Sequence, residues 1–180
     1  MIEQEKKTLI CLILEALKKQ GSWCGETHIQ KAAYLAKEMF KIPLEEYDFF
    51  LYRYGPYSSE ISVNLATMRN EEIIVRTATY PFGATYGVKE NKEIPSEDME
   101  ECRKQYGKKI DFIAEKFSDK GVGYLERLCT AHWVIRNYTN KTTDELAETL
   151  SEIKVKIPLE TALKTIEETN SMIRKADKIA

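Results

Sequence analysis

Each of the two histidines in this chain lies close to a cysteine, which gives the pairs Cys24-x3-His28 and Cys129-x2-His132. Two cysteines and two histidines are a zinc ligand set, and either spacing can place two ligands on one helical face. The pairs are about a hundred residues apart, however, and neither is a C-x2-C pair. Cys129 and His132 fit the buried stripe of a helix equally well. We expect no metal site, and the sequence leaves open whether the four side chains converge.

Nucleophilic catalysis has little support in the sequence. Cys129 and His132 have the spacing of a dyad on one helix, but an apolar helical face supplies neither an oxyanion hole nor an orienting group. The chain contains no G-x-S-x-G, G-x-G-x-x-G or G-x-x-x-x-G-K motif. The paired glutamates at 45–46 and 71–72 are typical of a solvated surface. We therefore predict a protein that is not an enzyme, without catalytic residues and without a cofactor.

A dense group of aromatic residues is the stronger candidate for function. In the segment 49–61, three tyrosines surround one arginine, and both residue types are favoured at recognition surfaces. Gly55 and Pro56 are expected to end a strand over 49–54, because proline cannot continue a ladder. Ser58 then stands where the N-cap of a following helix belongs.

Two interpretations of this aromatic strand are open. Alternation along the strand can bury Phe50, Tyr52 and Tyr54 in a small core, as is common for strand aromatics. Both faces, together with Tyr80 and Phe82, can instead form an apolar binding patch. The residues that we predict to contact a partner are Arg53, Tyr54, Tyr57, Arg69 and Phe82.

The elements that position these residues are mostly helices. Apolar residues at helical spacing predict helices over about 3–19, 27–40, 59–70, 96–117 and 125–135. Two more helices are predicted, one that begins near Thr142 and one that begins near Pro158. Thr142 and Glu145 have the spacing of a capping box, and so do Thr27 and Gln30 at the start of the second helix. The segments 73–80 and 85–89 predict a hairpin with its tip at 82–84. The predicted class is mainly α with a small antiparallel β-sheet.

The predicted order of three helices and a β-hairpin is that of a winged-helix-like core over residues 1–92. A helical region at 96–180 would follow and pack on that core. In this geometry the third helix would enter the major groove of DNA. Residues 59–72 carry only Arg69 against three glutamates, and this acidic balance works against phosphate contact. DNA binding is therefore the alternative function, with Arg76 and Lys89 as further phosphate contacts.

The composition is that of an ordinary globular protein, with 43% hydrophobic and 31% charged residues and a net charge of -2. Neither half is basic, so the chain offers no bulk electrostatic attraction to nucleic acid or to an anionic membrane. The N-terminal residues lack the pattern of a signal peptide, and the apolar run at 9–14 is too short for a membrane span. The four cysteines are scattered. These features predict a cytoplasmic protein with reduced thiols.

Two segments carry a resemblance to a known family: Q-K-A-A-Y-L-A at 30–36 and F-L-Y-R-Y-G-P-Y-S at 50–58. With the amphipathic helix and the strand I-I-V at 73–75 that follow, they resemble the YwgA-like and Panacea-type proteins. These are small prokaryotic and phage-associated proteins that share a Q-K-x-x-Y-L and a Y-G-P-[YV]-S segment. The resemblance covers about residues 5–90 and implies a winged-helix-like core without known catalytic residues. It further implies that the matched positions mostly shape the fold: Lys31, Tyr34, Tyr54, Gly55, Pro56 and Ser58.

Panacea-type members act as antitoxins that neutralise toxins through protein contact, and other relatives have been labelled possible transcriptional regulators. The resemblance therefore favours a non-catalytic regulatory module that binds a partner protein, such as a toxin. The helical region at 96–180 resembles no family, and its helices leave open an interface between two copies of the chain. No membrane partner is expected.

Overall fold

The structure is a computed structural model that describes residues 3–44, 46–81, 83–89, 96–154 and 157–179. It is mainly helical with two small antiparallel sheets, which confirms the predicted class at this level. No helix within these ranges is long and apolar enough to cross a membrane. In chain order the elements are α1 (Glu3–Lys19), α2 (Glu26–Phe40), β1 (Phe50–Tyr52), β2 (Gly55–Tyr57), α3 (Ser59–Asn70), β3 (Ile74–Thr79), β4 (Gly83–Val88), α4 (Ser96–Phe117), α5 (Val122–Asn137), α6 (Thr143–Ile153) and α7 (Leu159–Ala176).

α1 is the central helix because its sequence is apolar on nearly every side. Residues 9–14 are almost completely buried, and the helix packs along α4 and against α2. Gly21 follows the helix end with a φ of +75°, and its amide donates to the Lys18 carbonyl. The Ser22 amide donates to the Leu17 carbonyl. This Schellman pattern satisfies the last carbonyls of α1 and turns the chain towards α2.

The helices that follow residue 96 pack directly on the N-terminal elements. α4 lies along α1 and also contacts α2, while α5 contacts α2 and β2. One continuous core therefore includes side chains from α1, α2, α4 and α5. A second, smaller core joins α5, α6 and α7, and its buried members are Ala131, Val134, Leu146, Ala147, Leu150, Ala162 and Ile166.

The single strand predicted over 49–54 is wrong, because the chain folds back there as a hairpin. Arg53 and Tyr54 form its turn. Gly55, which we expected to help end the strand, instead begins β2 with a φ of +86°, a conformation that favours glycine. The register of the hairpin pairs Phe50 with Tyr57, Leu51 with Pro56 and Tyr52 with Gly55.

Pro56 lies inside β2, opposite Leu51, although proline has no amide hydrogen to give to a ladder. Its carbonyl accepts a hydrogen bond from the Lys31 side chain of α2, and so it points away from β1. The nitrogen and the carbonyl of one residue face the same side of an antiparallel strand. The Pro56 nitrogen therefore also faces away from β1, and its missing N–H removes no hydrogen bond between the two strands.

The capping predictions have different outcomes. The box at Thr142 and Glu145 is confirmed, since each side chain bonds the backbone amide of the other. The box predicted at Thr27 and Gln30 is wrong, because the N-cap of α2 is Gly25, which has no side chain to accept a bond. Ser58 is the N-cap of α3, as predicted, but its hydroxyl donates to the Glu60 carboxylate instead of capping a backbone amide.

The second hairpin follows the prediction more closely. β3 and β4 pair in a continuous register from Ile74 opposite Val88 to Thr79 opposite Gly83. Phe82, at the predicted tip, lies outside the described residues. The adjacent Tyr80 is 98% exposed. This hairpin packs on α1 through β4 and on α3 through β3.

Candidate functional site

Three aromatic rings lie together on the β1–β2 hairpin, and we call Phe50, Tyr52 and Tyr57 the aromatic patch. The ring centroid of Tyr57 is 5.7 Å from each of the other two centroids, which are 6.1 Å apart. Phe50 is 48% exposed and Tyr52 is 56% exposed, whereas Tyr57 is half-buried. Tyr54, in the turn, is also mostly exposed. The interpretation that buries Phe50, Tyr52 and Tyr54 in a core is therefore wrong.

The hairpin backbone is held very close to α5 at Gly55. A Cβ added to this residue would lie 2.7 Å from the Oγ1 atom of Thr130 and 3.3 Å from the carbonyl oxygen of Glu126. The positive φ of Gly55 is a second restriction, since other residues rarely adopt it. Only glycine allows this approach, which fixes where the turn and the aromatic patch stand relative to the core.

A buried lysine holds the centre of β2. Lys31, in α2, is only 2% exposed, and its Nζ atom donates to the carbonyl oxygen of Pro56 at 2.8 Å. Burial lowers the pKa of Lys31, and the Glu126 carboxylate partly offsets this effect. A buried ammonium group is costly unless it is hydrogen-bonded. Its contact with Pro56 therefore couples the position of the hairpin to the core.

The preceding residue, Gln30, holds the end of the hairpin. Its Oε1 atom accepts a bond from the Ser58 amide at 3.0 Å, and its Nε2 atom donates to the Ser58 carbonyl at 2.9 Å. The side-chain amide therefore pairs with the backbone as a neighbouring strand would. Nε2 also approaches the Ser62 hydroxyl at 3.2 Å, and Tyr57 bonds the same hydroxyl at 3.0 Å. These bonds fix the Tyr57 end of the aromatic patch on α3.

The turn of the hairpin has its own anchor. Lys154, just after α6, donates to the carbonyl oxygen of Arg53 at 2.8 Å and lies 4.0 Å from the Glu126 carboxylate. The Arg53 side chain itself is exposed. Lys31, Gln30 and Lys154 thus all bind backbone atoms of residues 53–58, and none of them uses a side chain of the aromatic patch.

Behind the hairpin, a tyrosine and a histidine form a buried pair. The Tyr34 hydroxyl and the Nδ1 atom of His132 are 3.0 Å apart, and the Tyr34 ring also meets Phe49 edge-on. Burial lowers the pKa of His132 to about 4, so the ring is neutral at pH 7. Burial also raises the pKa of Tyr34, which keeps its proton. Both groups are therefore neutral, and the hydrogen bond between them joins α2 to α5 inside the core.

The possible metal ligands do not form a site. Within the described ranges, no three His, Cys, Asp or Glu side chains are grouped as metal ligands. Burial raises the pKa of the Cys129 thiol to about 12, and the protonated thiol is a poor ligand and a poor nucleophile. Cys24 is buried before α2, and His28 is buried in its first turn.

The predicted contact residues fall into two places. Arg53 and Tyr54 lie in the turn, next to Tyr57 in the aromatic patch, so these three belong to one surface. Arg69 is exposed in the last turn of α3, at the far end of that helix from the hairpin. Phe82 lies outside the described residues.

The predicted contact residues did not include two members of this surface, Phe50 and Tyr52. The sequence left open whether they face a core or a partner, because aromatic residues in a strand are often buried. The available signal was Gly55, which directly follows Arg53 and Tyr54 and is compatible with a two-residue hairpin turn at those residues.

Neither the protein-family models nor the curated proteins gave a match to the chain.

Proposed function

We propose that the protein is a non-catalytic regulatory module that binds a partner protein through the β1–β2 hairpin. The observation that carries this proposal is the aromatic patch: two large rings, about half exposed, stand beside Tyr57 on a backbone anchored from three directions. Tyrosine and arginine are among the residue types that most often contribute a large share of the binding energy at protein interfaces.

The anchoring of the hairpin supports binding as much as the rings do. A loop that must be ordered on association loses binding free energy, whereas a preformed surface avoids this cost. Here Lys31, Gln30 and Lys154 already fix the backbone, and Gly55 seats it against α5. The rings at Phe50 and Tyr52 can therefore contact a partner without reorganisation of the hairpin.

The buried titratable groups support a role without catalysis. The groups with the largest changes in pKa include Tyr34, Cys129 and His132, and all three are buried in the core. Tyr34 and His132 are bonded to each other. Their perturbation follows from burial behind the hairpin, and they present no reactive atom to a substrate.

For the kind of partner, we propose a toxin that the protein neutralises, as in the Panacea-type proteins that residues 30–36 and 50–58 resemble. Within the fold these two segments contact each other directly, through Lys31 to Pro56 and Gln30 to Ser58. The shared motif would then form the support of the hairpin, and the exposed side chains would select the partner. We propose a cytoplasmic location for this complex.

A winged-helix DNA-binding regulator is the alternative. The observation in its favour is that α3 leads directly into the β3–β4 hairpin and that Arg69 and Arg76 are both exposed. The other exposed positions of α3 include Glu60, Val63 and Ala66, whose side chains have neither a positive charge nor a donor that could contact phosphate. Specific DNA binding would require an affinity that falls steeply with salt.

The test is purification of the tagged protein from its native host at moderate salt, with co-purifying material identified by mass and by nuclease sensitivity. The same purification is done with Tyr52→Ala and with Tyr80→Ala, a matched loss of an exposed tyrosine on the other hairpin. A stoichiometric protein that is retained by Tyr80→Ala and lost by Tyr52→Ala supports the proposal. Nuclease-sensitive material without a protein partner supports the DNA-binding alternative instead.

A further inference from the structure

The β3–β4 hairpin is a two-stranded sheet, and its two outer edges have different surroundings. The edge of β4 is covered, because the Tyr86 amide donates to the Cys24 carbonyl of the α1–α2 connection at 2.9 Å. Within the described ranges, no residue outside the hairpin forms a backbone hydrogen bond along the other side of β3. The open edge of this sheet is therefore that of β3.

The register identifies the backbone groups that face the open edge. Tyr86 gives its amide to Cys24, away from β3, so the residue opposite it, Arg76, also points its amide and carbonyl away from its partner strand. Pairs alternate along an antiparallel ladder, so Ala78 has the same orientation as Arg76. Both residues are exposed, whereas Ile74, which shares this orientation, is buried beside α3. The open edge thus presents two donors and two acceptors to solvent.

The open edge lacks most of the features that keep sheet edges apart. Edges in soluble proteins are usually protected by lysine, proline or a bulge. β3 contains neither lysine nor proline, and its register with β4 runs without a bulge from residue 74 to residue 79. Its one charged residue is Arg76. Val75 is also 44% exposed, so this edge is suited to pairing with another strand.

A second copy of the same edge matches it in one register. When two β3 strands pair antiparallel about a two-fold axis at Thr77, Arg76 of each copy lies opposite Ala78 of the other. Residues in such a pair exchange two hydrogen bonds, so the two pairs use all four open groups of each chain. An axis at Arg76 would oppose two arginines, which is unfavourable, and would place Ala78 opposite the buried Ile74. An axis at Ala78 would place Arg76 opposite Tyr80, beyond the end of β3.

We propose that the protein forms a dimer through β3, in which two hairpins join as one four-stranded antiparallel sheet. Thr77 of each copy lies at the centre beside its counterpart, and Val75 lies opposite Thr79 of the other copy. The pairing covers the backbone of Arg76 and Ala78. The β1–β2 hairpin takes no part in this edge, so the dimer is independent of the aromatic patch and of any protein partner.

The first test is analytical ultracentrifugation of the full chain from micromolar to near-millimolar concentration, where a monomer–dimer equilibrium is expected. Ala78→Pro removes the edge donor of each chain and keeps every bond to β4, so it should weaken the dimer about tenfold or more, as for the loss of two hydrogen bonds. Ala84→Pro is the matched control, because Ala84 lies directly opposite Ala78 and its amide faces the other edge of the hairpin. It should change the dimerisation constant less than about twofold. Circular dichroism checks that both variants fold.

Cross-linking tests the register without changing the backbone. In the dimer the two Thr77 residues form a non-hydrogen-bonded pair with Cα atoms about 4.5 Å apart, within the range of a disulfide. Thr77→Cys should therefore give a disulfide-linked dimer with oxidised glutathione. Thr79→Cys is the control, because its two copies would lie about 14 Å apart along the strands. The four native cysteines are buried and should not contribute.

Three outcomes would overturn the dimer. The first is a chain that stays monomeric at near-millimolar concentration. The second is a dimer that Ala78→Pro leaves intact, since its interface would then lie elsewhere, as between the helices that follow residue 96. The third is equal cross-linking of Thr77→Cys and Thr79→Cys, which would contradict the register and with it the pairing of the two edges.

Discussion

The ammonium group of Lys31 donates a hydrogen bond to the carbonyl oxygen of Pro56 across 2.8 Å, and both residues are buried. The two residues are 25 positions apart, so this bond joins α2 to the hairpin that carries the aromatic patch. It also explains how proline is accommodated inside β2. The position of the proposed binding surface thus depends on a cation that never reaches that surface.

Lys31→Met should destabilise the protein by about 1–3 kcal/mol, because the Pro56 carbonyl is left buried without a donor. Lys37→Met is the control: Lys37 also donates to a backbone carbonyl, that of Tyr47, but from a half-buried position. Its loss should cost less, about 0.5–1.5 kcal/mol. Urea unfolding of both variants measures the difference. Equal losses of unfolding free energy in the two variants would contradict the expectation that the buried Lys31 contact contributes more than the half-buried Lys37 contact.

Gly55→Ala should cost more than the same change at Gly83. Both glycines have a positive φ, so each variant carries backbone strain of about 1–2 kcal/mol. Only at Gly55 does the new methyl group meet Thr130 and the α5 backbone, whereas nothing lies within 4 Å at Gly83. The difference in unfolding free energy between the two variants therefore isolates the close approach to α5. A difference near zero would mean that the hairpin moves away freely.

Gln30→Ala should destabilise the protein by about 2 kcal/mol or more, because it removes the partner of both the amide and the carbonyl of Ser58. Gln30→Glu is the informative companion, since at pH 7 it places a buried carboxylate against the Ser58 carbonyl oxygen. Its cost at pH 7 should be at least that of Gln30→Ala. Thermal unfolding at pH 7 ranks the three proteins, and a ranking with Gln30→Glu as the most stable would contradict the pairing.

Stability should fall in mild acid because of His132. Its pKa in the folded protein is about 4, below the ordinary value of 6.5, so the unfolded chain binds more protons between these values. The contribution to stability is complete above about pH 6.5 and is lost as the pH falls towards 4, with a total of about 3 kcal/mol. Urea titrations from pH 7.5 to 4.5 measure this slope. His132→Asn should flatten it, leaving the part that His28 contributes through its own lowered pKa.

Substitutions on the hairpin surface should separate binding from stability. Arg53→Ala removes an exposed side chain and should change the unfolding free energy by less than about 0.5 kcal/mol. Tyr52→Ala also loses ring contacts with Phe50 and Tyr57 and should cost about 1 kcal/mol. At least one should weaken partner binding by about 2 kcal/mol, roughly thirtyfold, as expected at the centre of an interface. A large fall in melting temperature for Arg53→Ala would assign its side chain to the structure instead.

The helices could be predicted because their signals are local. The apolar spacing in α1 and the capping box at Thr142 are each contained in a few consecutive residues, and both were found in the structure. The hairpin could not be predicted in the same way, since Gly55 and Pro56 also fit the end of a strand. Its outcome depends on Lys31 and Gln30, which act across 25 and 28 residues and leave no periodic pattern in the sequence.

The candidate site, like the fold, could be predicted where the signal is local and could not be predicted where it depends on long-range contacts. The sequence marked Arg53, Tyr54 and Tyr57 through residue type and density, and the structure places them on one hairpin. The sequence could not show which of the aromatic side chains are exposed, because their exposure depends on how closely β2 approaches α5 at Gly55.

Because Lys31, Gln30 and Lys154 bind backbone atoms of the hairpin, the exposed side chains at 50 and 52–54 are not needed to hold it in place. Selection could therefore exchange these residues for others while the backbone keeps its position. A family of proteins with the same core could diversify its partners at these four positions alone, and a randomised library built there should yield folded variants with new specificities.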